Sequence, residues 1–263
     1  CCGQAPCPSL GGGEPAAPRT ASWWWVTGLD QHVAGLYTAR GHRFVRVRGG
    51  HLEGMKTGGA ISAGDVELIA RLCEVLRPRR IFGVGNAFGF SSLVLSYACG
   101  NVPLDVIDAE NEFAFIGGER LAGAETAKGT ALTRRIAAEE GRDIHLHVGF
   151  SPQETRAALR GPNGTYDLAF IDGLHTARAM LADFLGIRSA MSGAAVAVFH
   201  DVGFYDLWQG VHGVLRAQRA AQPSVRYRTF EGRWYENTFG TGFASWGLPE
   251  GTFRDFGPLL PDS

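Results

Sequence analysis

The polar and apolar positions of this chain switch between two periods. From Ser62 onward, Val66, Ile69, Cys73 and Leu76 recur at helical spacing, and Pro78 stops the run. Ser62 with Asp65 three residues later has the form of a capping box. A short apolar run at 81–84 follows, then a glycine turn and an apolar helix over 91–99. The alternation continues with strands at 104–107, 144–148, 168–171 and 194–199. Helices are expected at 119–140, 152–159 and 177–187, with one more after Gly210. Strand runs at 225–230 and 239–245 are close enough to pair as an antiparallel hairpin. Short apolar strands separated by helices predict an α/β fold: a doubly wound, Rossmann-like sheet of seven mostly parallel strands, its last hairpin antiparallel.

The pattern divides the chain into four parts. Residues 1–21 are Gly/Pro/Ala-rich and are expected to be a disordered leader. Residues 22–59 read as a mixed arm, in which Trp23, Trp24 and Trp25 pack on the main domain or form a lid, and Arg43 to Arg48 alternates as a strand does. Residues 60–250 form the main domain, and 251–263 a tail. Cys1 in place of Met points to a processed or incomplete N-terminus.

Composition narrows the function classes. The net charge is −1, from 25 basic and 26 acidic side chains, so nothing favours a nucleic-acid or anionic-membrane partner. No apolar run approaches the roughly 20 residues of a membrane span, and no secretory signal is visible. The five cysteines have no paired metal-ligand spacing. They are expected to be free thiols in a reducing compartment, which makes the expected location cytoplasmic. Glycine, at 37 residues, is about twice the usual ~7% and gathers at joints between elements.

In open sheets of this kind ligands sit beyond the carboxyl ends of the strands. The first such loop, Gly83-Val84-Gly85-Asn86-Ala87-Phe88-Gly89, permits a tight turn and close approach of a ligand to the backbone. Asp108 directly follows the second strand, where a carboxylate can accept from ribose hydroxyls, with Glu110 as a substitute. These two features indicate an adenosyl cofactor without choosing between a nicotinamide dinucleotide and S-adenosylmethionine.

Four segments at successive strand ends, IFGVGNAFGFS from Ile81, VGFS from Val148, YDLAFIDGLH from Tyr166 and GAAVAVFHDV from Gly193, resemble class I S-adenosylmethionine-dependent methyltransferases. The likeness covers roughly 55–245 and is strongest to metal-dependent O-methyltransferases with an IDGxH motif, methyltransferase family 24. It implies methylation of a small-molecule hydroxyl: phenolic, sugar or natural-product. By that resemblance, Gly83, Gly85, Asn86 and Gly89 form the cofactor turn, Ser91 holds the methionine carboxylate and Asp108 the ribose. Phe150 and Ser151 hold the adenine. Relatives often carry Glu at the position of Gly83, facing the cofactor amine, and Asp172 would take that role here. Asp172 and Asp201, at the ends of neighbouring strands, would form a site for Mg²⁺ or another divalent cation with His200, where relatives often carry a carboxylate. The alternative for either acid is capping a helix. His175 stands where catechol-type relatives carry a catalytic Lys and would be the general base, or else a helix-start hydrogen bonder. His145 and His147 are read as sheet-surface residues. Two rivals are an NAD-type Rossmann oxidoreductase and a non-catalytic cofactor-binding protein on the same fold. The pattern does not decide between a monomer and a homo-oligomer.

Overall fold

The structure is a computed structural model that describes residues 22–41, 44–46, 52–54, 61–110, 115–116, 119–120, 123–163, 165–203, 207–230 and 240–256. The leader 1–21 and the side chains of Trp23, Trp24 and Trp25 lie outside the described part. Seven strands form the main sheet: β1 Ile81–Val84, β2 Leu104–Asp108, β3 Ile144–Val148, β4 Tyr166–Ile171, β5 Met191–Phe199, β6 Arg226–Phe230 and β7 Thr241–Trp246. Their order is β6-β7-β5-β4-β1-β2-β3. Six strands run one way and β7 runs against its two neighbours. Strand order reverses at β1, between β2 and β4, so the loops after these strands flank a single crevice.

The strands bury both faces, as their unbroken apolar runs require. Ile81, Val106, Phe170 and Val198 face one core layer, with α1 Ser22–Thr38, α2 Ala63–Leu76, α3 Phe90–Ala98 and α4 Gly123–Glu139. Phe82, Ile107, Ile171 and Phe199 face the other, with α5 Thr155–Ala158, α6 Ala177–Arg188 and α7 Leu207–Arg219. Register levels the strand ends that matter: Val84 pairs with Ile107 and Ile171, and Ile171 with Phe199.

Four expectations are corrected. The arm begins with a long helix, α1, and its described half is core: Leu29, Val33, Leu36 and Tyr37 are buried at i, i+4, i+7 and i+8. Burial of each such side chain contributes about 1.5–3 kcal/mol, which ties this half of α1 to the domain. The expected strand does form, as Phe44–Arg46 paired with Leu52–Gly54. The domain does not stop at 250, because Phe253 and Phe256 pack edge-on against Phe243. Residues 119–120 pair as a short ribbon with 115–116, so the helix expected from 119 starts later. Cys73 and Cys99 are not free thiols but a disulfide, Cα atoms 4.9 Å apart, because the last turn of α2 packs against the end of α3. Among the described residues no helix is long and apolar enough to cross a membrane.

Candidate active site

The glycine turn between β1 and α3 is built from backbone geometry. Gly85 has φ +89°, and a Cβ there would lie 2.0 Å from the Asp172 carbonyl oxygen, so the loops after β1 and β4 touch only because residue 85 is glycine. Gly89, at φ +83°, is the N-cap of α3, and a Cβ would collide with Thr133 of α4. Ala87 between them is held at φ +44°, a costly conformation for a residue with a side chain. Gly83 lies inside β1, where a Cβ would meet Val106 at 3.4 Å.

Asp108 holds this turn. Its Oδ2 accepts from the amides of Asn86 (2.6 Å) and Ala87 (3.0 Å), and its Oδ1 from the amide of Glu110 (2.7 Å). Three of about four lone-pair sites are taken, leaving acceptor capacity toward the crevice. Asn86 is 3% exposed and its side chain points inward. It donates to Thr133 Oγ1 (3.3 Å) and accepts from Ser92 Oγ (2.8 Å), so its side chain shapes the turn from below. Ser91 is buried in the first turn of α3. Gly89 offers no side-chain cap, so the N-terminal end of α3 faces the crevice without one.

The loop after β3 carries Phe150, 53% exposed, and Ser151, whose Oγ lies 3.1 Å from Thr155 Oγ1. After β4 comes Leu174, 61% exposed. Of the five exposed large apolar side chains among the described residues, Val148, Phe150 and Leu174 stand at this one edge.

The ends of β4 and β5 bring together Asp172, His175, His200 and Asp201. His175 Nε2 is 3.3 Å from Asp172 Oδ1 and 3.5 Å from Asp201 Oδ2. His200 Nδ1 is 3.2 Å from Asp172 Oδ1 and 3.4 Å from Asp201 Oδ1. Asp201 is held at φ +55°, in the left-handed region that Asp tolerates better than most residues. Donor atoms of Asp172, His175 and Asp201 all lie within 4.8 Å of one another, two oxygens and a nitrogen that suit a divalent ion. His200 is placed differently from the expected ligand. It is 13% exposed in its side chain, rests near Phe170, and turns Nε2 to Asp65 Oδ2 at 3.2 Å. Both its nitrogens are engaged by carboxylates.

Electrostatics follow from these contacts. Burial pushes Asp172 up, but the adjacent His200 and His175 rings outweigh it and hold the carboxyl well below its usual range. Burial opposes the charge of His200, yet Asp172 and Asp65 raise it well above an ordinary histidine. The hydrogen bond to Asp172 raises His175, against partial burial.

Two residues escaped the sequence reading. Asp65 does close the capping box with Ser62, as expected, but its carboxylate also accepts from Thr241 Oγ1 and meets His200. Nothing local signals a contact across 135 residues. Asp183 of α6 is 3% exposed beside Gly173 and Ser151, and burial pushes it up to about 6. Its signal was legible: an acid among Met180, Phe184 and Ile187 on the buried stripe of a helix. His145 is half-exposed on β3, away from the crevice, and His147 lies on the same strand.

A methyltransferase domain family matches residues 82–202, which span the glycine turn, Asp108 and the Asp172–Asp201 cluster. No curated protein matches the chain in sequence. Among solved structures, the O-methyltransferase TomG of Streptomyces achromogenes, involved in tomaymycin synthesis and solved with S-adenosylmethionine, is 18% identical. The match covers 88% of this chain and 99% of that one, with a TM-score of 0.55. The O-methyltransferase of Bacillus cereus, solved with S-adenosylhomocysteine, is 15% identical over 86% of this chain and 97% of its own, with a TM-score of 0.53. The S-adenosylhomocysteine-bound methyltransferase PaMTH1 of Podospora anserina is 13% identical over 90% and 100%, with a TM-score of 0.52. The match covers the glycine turn and acid that had left a nicotinamide oxidoreductase as a rival, and it decides against that rival. Residues 82–202 match a methyltransferase domain family, and the sheet and helices around them share the fold of these solved O-methyltransferases.

Proposed function

We propose that the chain transfers a methyl group from S-adenosylmethionine to a hydroxyl oxygen of a small molecule, assisted by a divalent cation at Asp172 and Asp201. The observation that carries this reading is the convergence of a glycine turn, an acid after β2 and two carboxylates after β4 and β5 on one crevice. Gly85 and Gly89 would let the methionine part lie on the backbone, and the N-terminal end of α3 with Ser91 would take its carboxylate. Asp108 would receive the ribose, Phe150, Ser151 and Leu174 would cover the adenine, and Asp172 would face the amine.

The sulfonium already makes the methyl electrophilic, so the protein supplies alignment and a better nucleophile. Alignment alone is worth up to about 7–11 kcal/mol in ideal cases. The cation, when bound, lowers the pKa of the acceptor hydroxyl. His175 takes the acceptor proton, and Asp172, 3.3 Å from its Nε2, makes the ring a stronger base. A second reading makes His175 the third ligand, because its Nε2 lies within 3.5 Å of both acids. His175→Ala separates the two. A base leaves Mn²⁺ binding intact and slows transfer, whereas a ligand weakens both. Full turnover after exhaustive chelation would remove the cation and leave His175 acting alone.

A further inference from the structure

Tyr37 stands in the last turn of α1 and is fully buried. Leu29, Val33 and Leu36 share its stripe and bring no polar atom to the core. The Tyr37 ring packs near Phe90 of α3, 6.3 Å between ring centres, a contact that Phe would make as well. The hydroxyl is the exception. A buried hydroxyl is costly unless it finds a partner, and this one donates to the Phe88 carbonyl at 2.7 Å, across 51 residues of chain. Burial pushes the hydroxyl well above its ordinary value, so it keeps its proton and stays a donor.

Phe88 lies in the glycine turn, between Ala87 at φ +44° and Gly89 at φ +83°. Left-handed backbone at a residue with a side chain persists only when its surroundings hold it. Asp108 holds the turn from the β2 side, through the amides of Asn86 and Ala87. Tyr37 holds it from the α1 side. The peptide unit between Phe88 and Gly89 is planar, so its carbonyl and its N–H point in fixed, opposite directions. That N–H donates to the Asn86 carbonyl at 2.6 Å, and the carbonyl takes Tyr37. Thr133 of α4 is a second donor at 3.3 Å, but its one hydroxyl proton lies closer to the Gly129 carbonyl, at 2.9 Å. Tyr37 is therefore the main hold on the peptide plane that leads into Gly89, the N-cap of α3.

We propose that Tyr37 is a positioning residue of the cofactor site: it acts through the Phe88 carbonyl to keep residues 85–89 in their binding shape, so that the arm helix sets the affinity for S-adenosylmethionine. This rests on the reading of 85–89 as the cofactor turn.

The test is calorimetric titration of the full chain with S-adenosylhomocysteine, with thermal melting beside it. Tyr37→Phe keeps the ring and removes only the hydroxyl. It should weaken S-adenosylhomocysteine about fivefold or more, the scale of a buried carbonyl that loses its donor. Val33→Ala cuts into the core of the same helix without touching the turn. It should lower the melting temperature at least as far, and keep the affinity within about twofold of the parent. In the ligand-free chain, amide exchange at Asn86 and Ala87 should speed in Tyr37→Phe and hold in Val33→Ala. Parent-like affinity in Tyr37→Phe, an equal loss of affinity in both variants, or equal amide exchange in both would overturn the inference and leave the cofactor turn standing. No S-adenosylhomocysteine bound by the unaltered chain would overturn the reading of the turn, and the inference with it. If Tyr37→Phe does not fold, Thr133→Val carries the test. It strips the second donor from the Phe88 carbonyl and spares α1; a loss of about threefold or more supports the inference and an unchanged affinity contradicts it.

Discussion

A buried acid and a cluster of acids stand at opposite edges of the same sheet. At the amino end, Asp105 of β2 is fully buried and accepts from Arg80 (3.3 Å), from Arg160 and from the hydroxyl of Tyr166 (2.5 Å), the residue that opens β4. At the carboxyl end, Asp172, Asp201 and Asp65 meet only imidazoles, hydroxyls and amides. The difference is in the partners. A guanidinium stays charged at any working pH and fills its acceptors in fixed geometry, so Arg80 and Arg160 hold Asp105 in place, with His145 Nδ1 farther off at 3.8 Å. Imidazoles and carboxylates can each hold or release a proton and can each bind a cation, so the other cluster has several states to choose among. One end is built to hold and the other to respond.

The largest effect that would test this contrast is on stability at the closed end. Asp105→Ala takes the acceptor from the Tyr166 hydroxyl and from Arg80 and leaves Arg160 with Asp143 alone, and is expected to cost about 3 kcal/mol, the low end for a broken buried pair. Chemical denaturation measures it. A loss below 1 kcal/mol would erase the distinction between the ends.

Asp183 sharpens the contrast, being a site-end acid with no cation of its own. Its carboxyl is raised to about 6 by burial, with the Ser151 hydrogen bond opposing. A raised acid contributes stability that is complete below its unfolded value, near 3.8, and is lost as pH rises through about 6. Asp183→Asn should therefore gain about 3 kcal/mol on the parent between pH 4 and pH 8. Parallel stability curves for the two proteins would refute the assignment.

Asp172→Asn is expected to reverse the Asp105 pattern: methyl transfer falls on the order of 100-fold, the scale of a lost group at a metal site, while stability changes less than in Asp105→Ala. Comparable unfolding in both variants would mean that the carboxyl-end acids are structural too.

The sequence made the crevice legible because its loops are marked by residues with few other uses: glycines at positive φ, and acids placed directly after apolar strands. Strand periods likewise exposed both faces of the sheet. Contacts between distant segments were not legible. Asp65 reads as a helix cap because its second role depends on His200 and Thr241, which only the fold brings near. The Cys73–Cys99 bridge depends on how α2 and α3 lie together, which spacing does not encode. The core role of α1 was written in the spacing of Leu29, Val33, Leu36 and Tyr37, but the adjacent tryptophans are the louder signal.

Asp108 is the smallest and most diagnostic case, an acid at the responsive end whose oxygens are partly filled by backbone amides. Asp108→Ala should weaken S-adenosylhomocysteine by roughly 1.5–3 kcal/mol, the scale of hydrogen bonds to a charged group. An unchanged affinity would remove Asp108 from the cofactor site.

The account stands most directly on what the unaltered chain binds in that crevice. Calorimetric titration with S-adenosylhomocysteine and, separately, with NAD answers it. S-adenosylhomocysteine is expected to bind and raise the melting temperature, with NAD doing neither; tighter binding of NAD than of S-adenosylhomocysteine would contradict it.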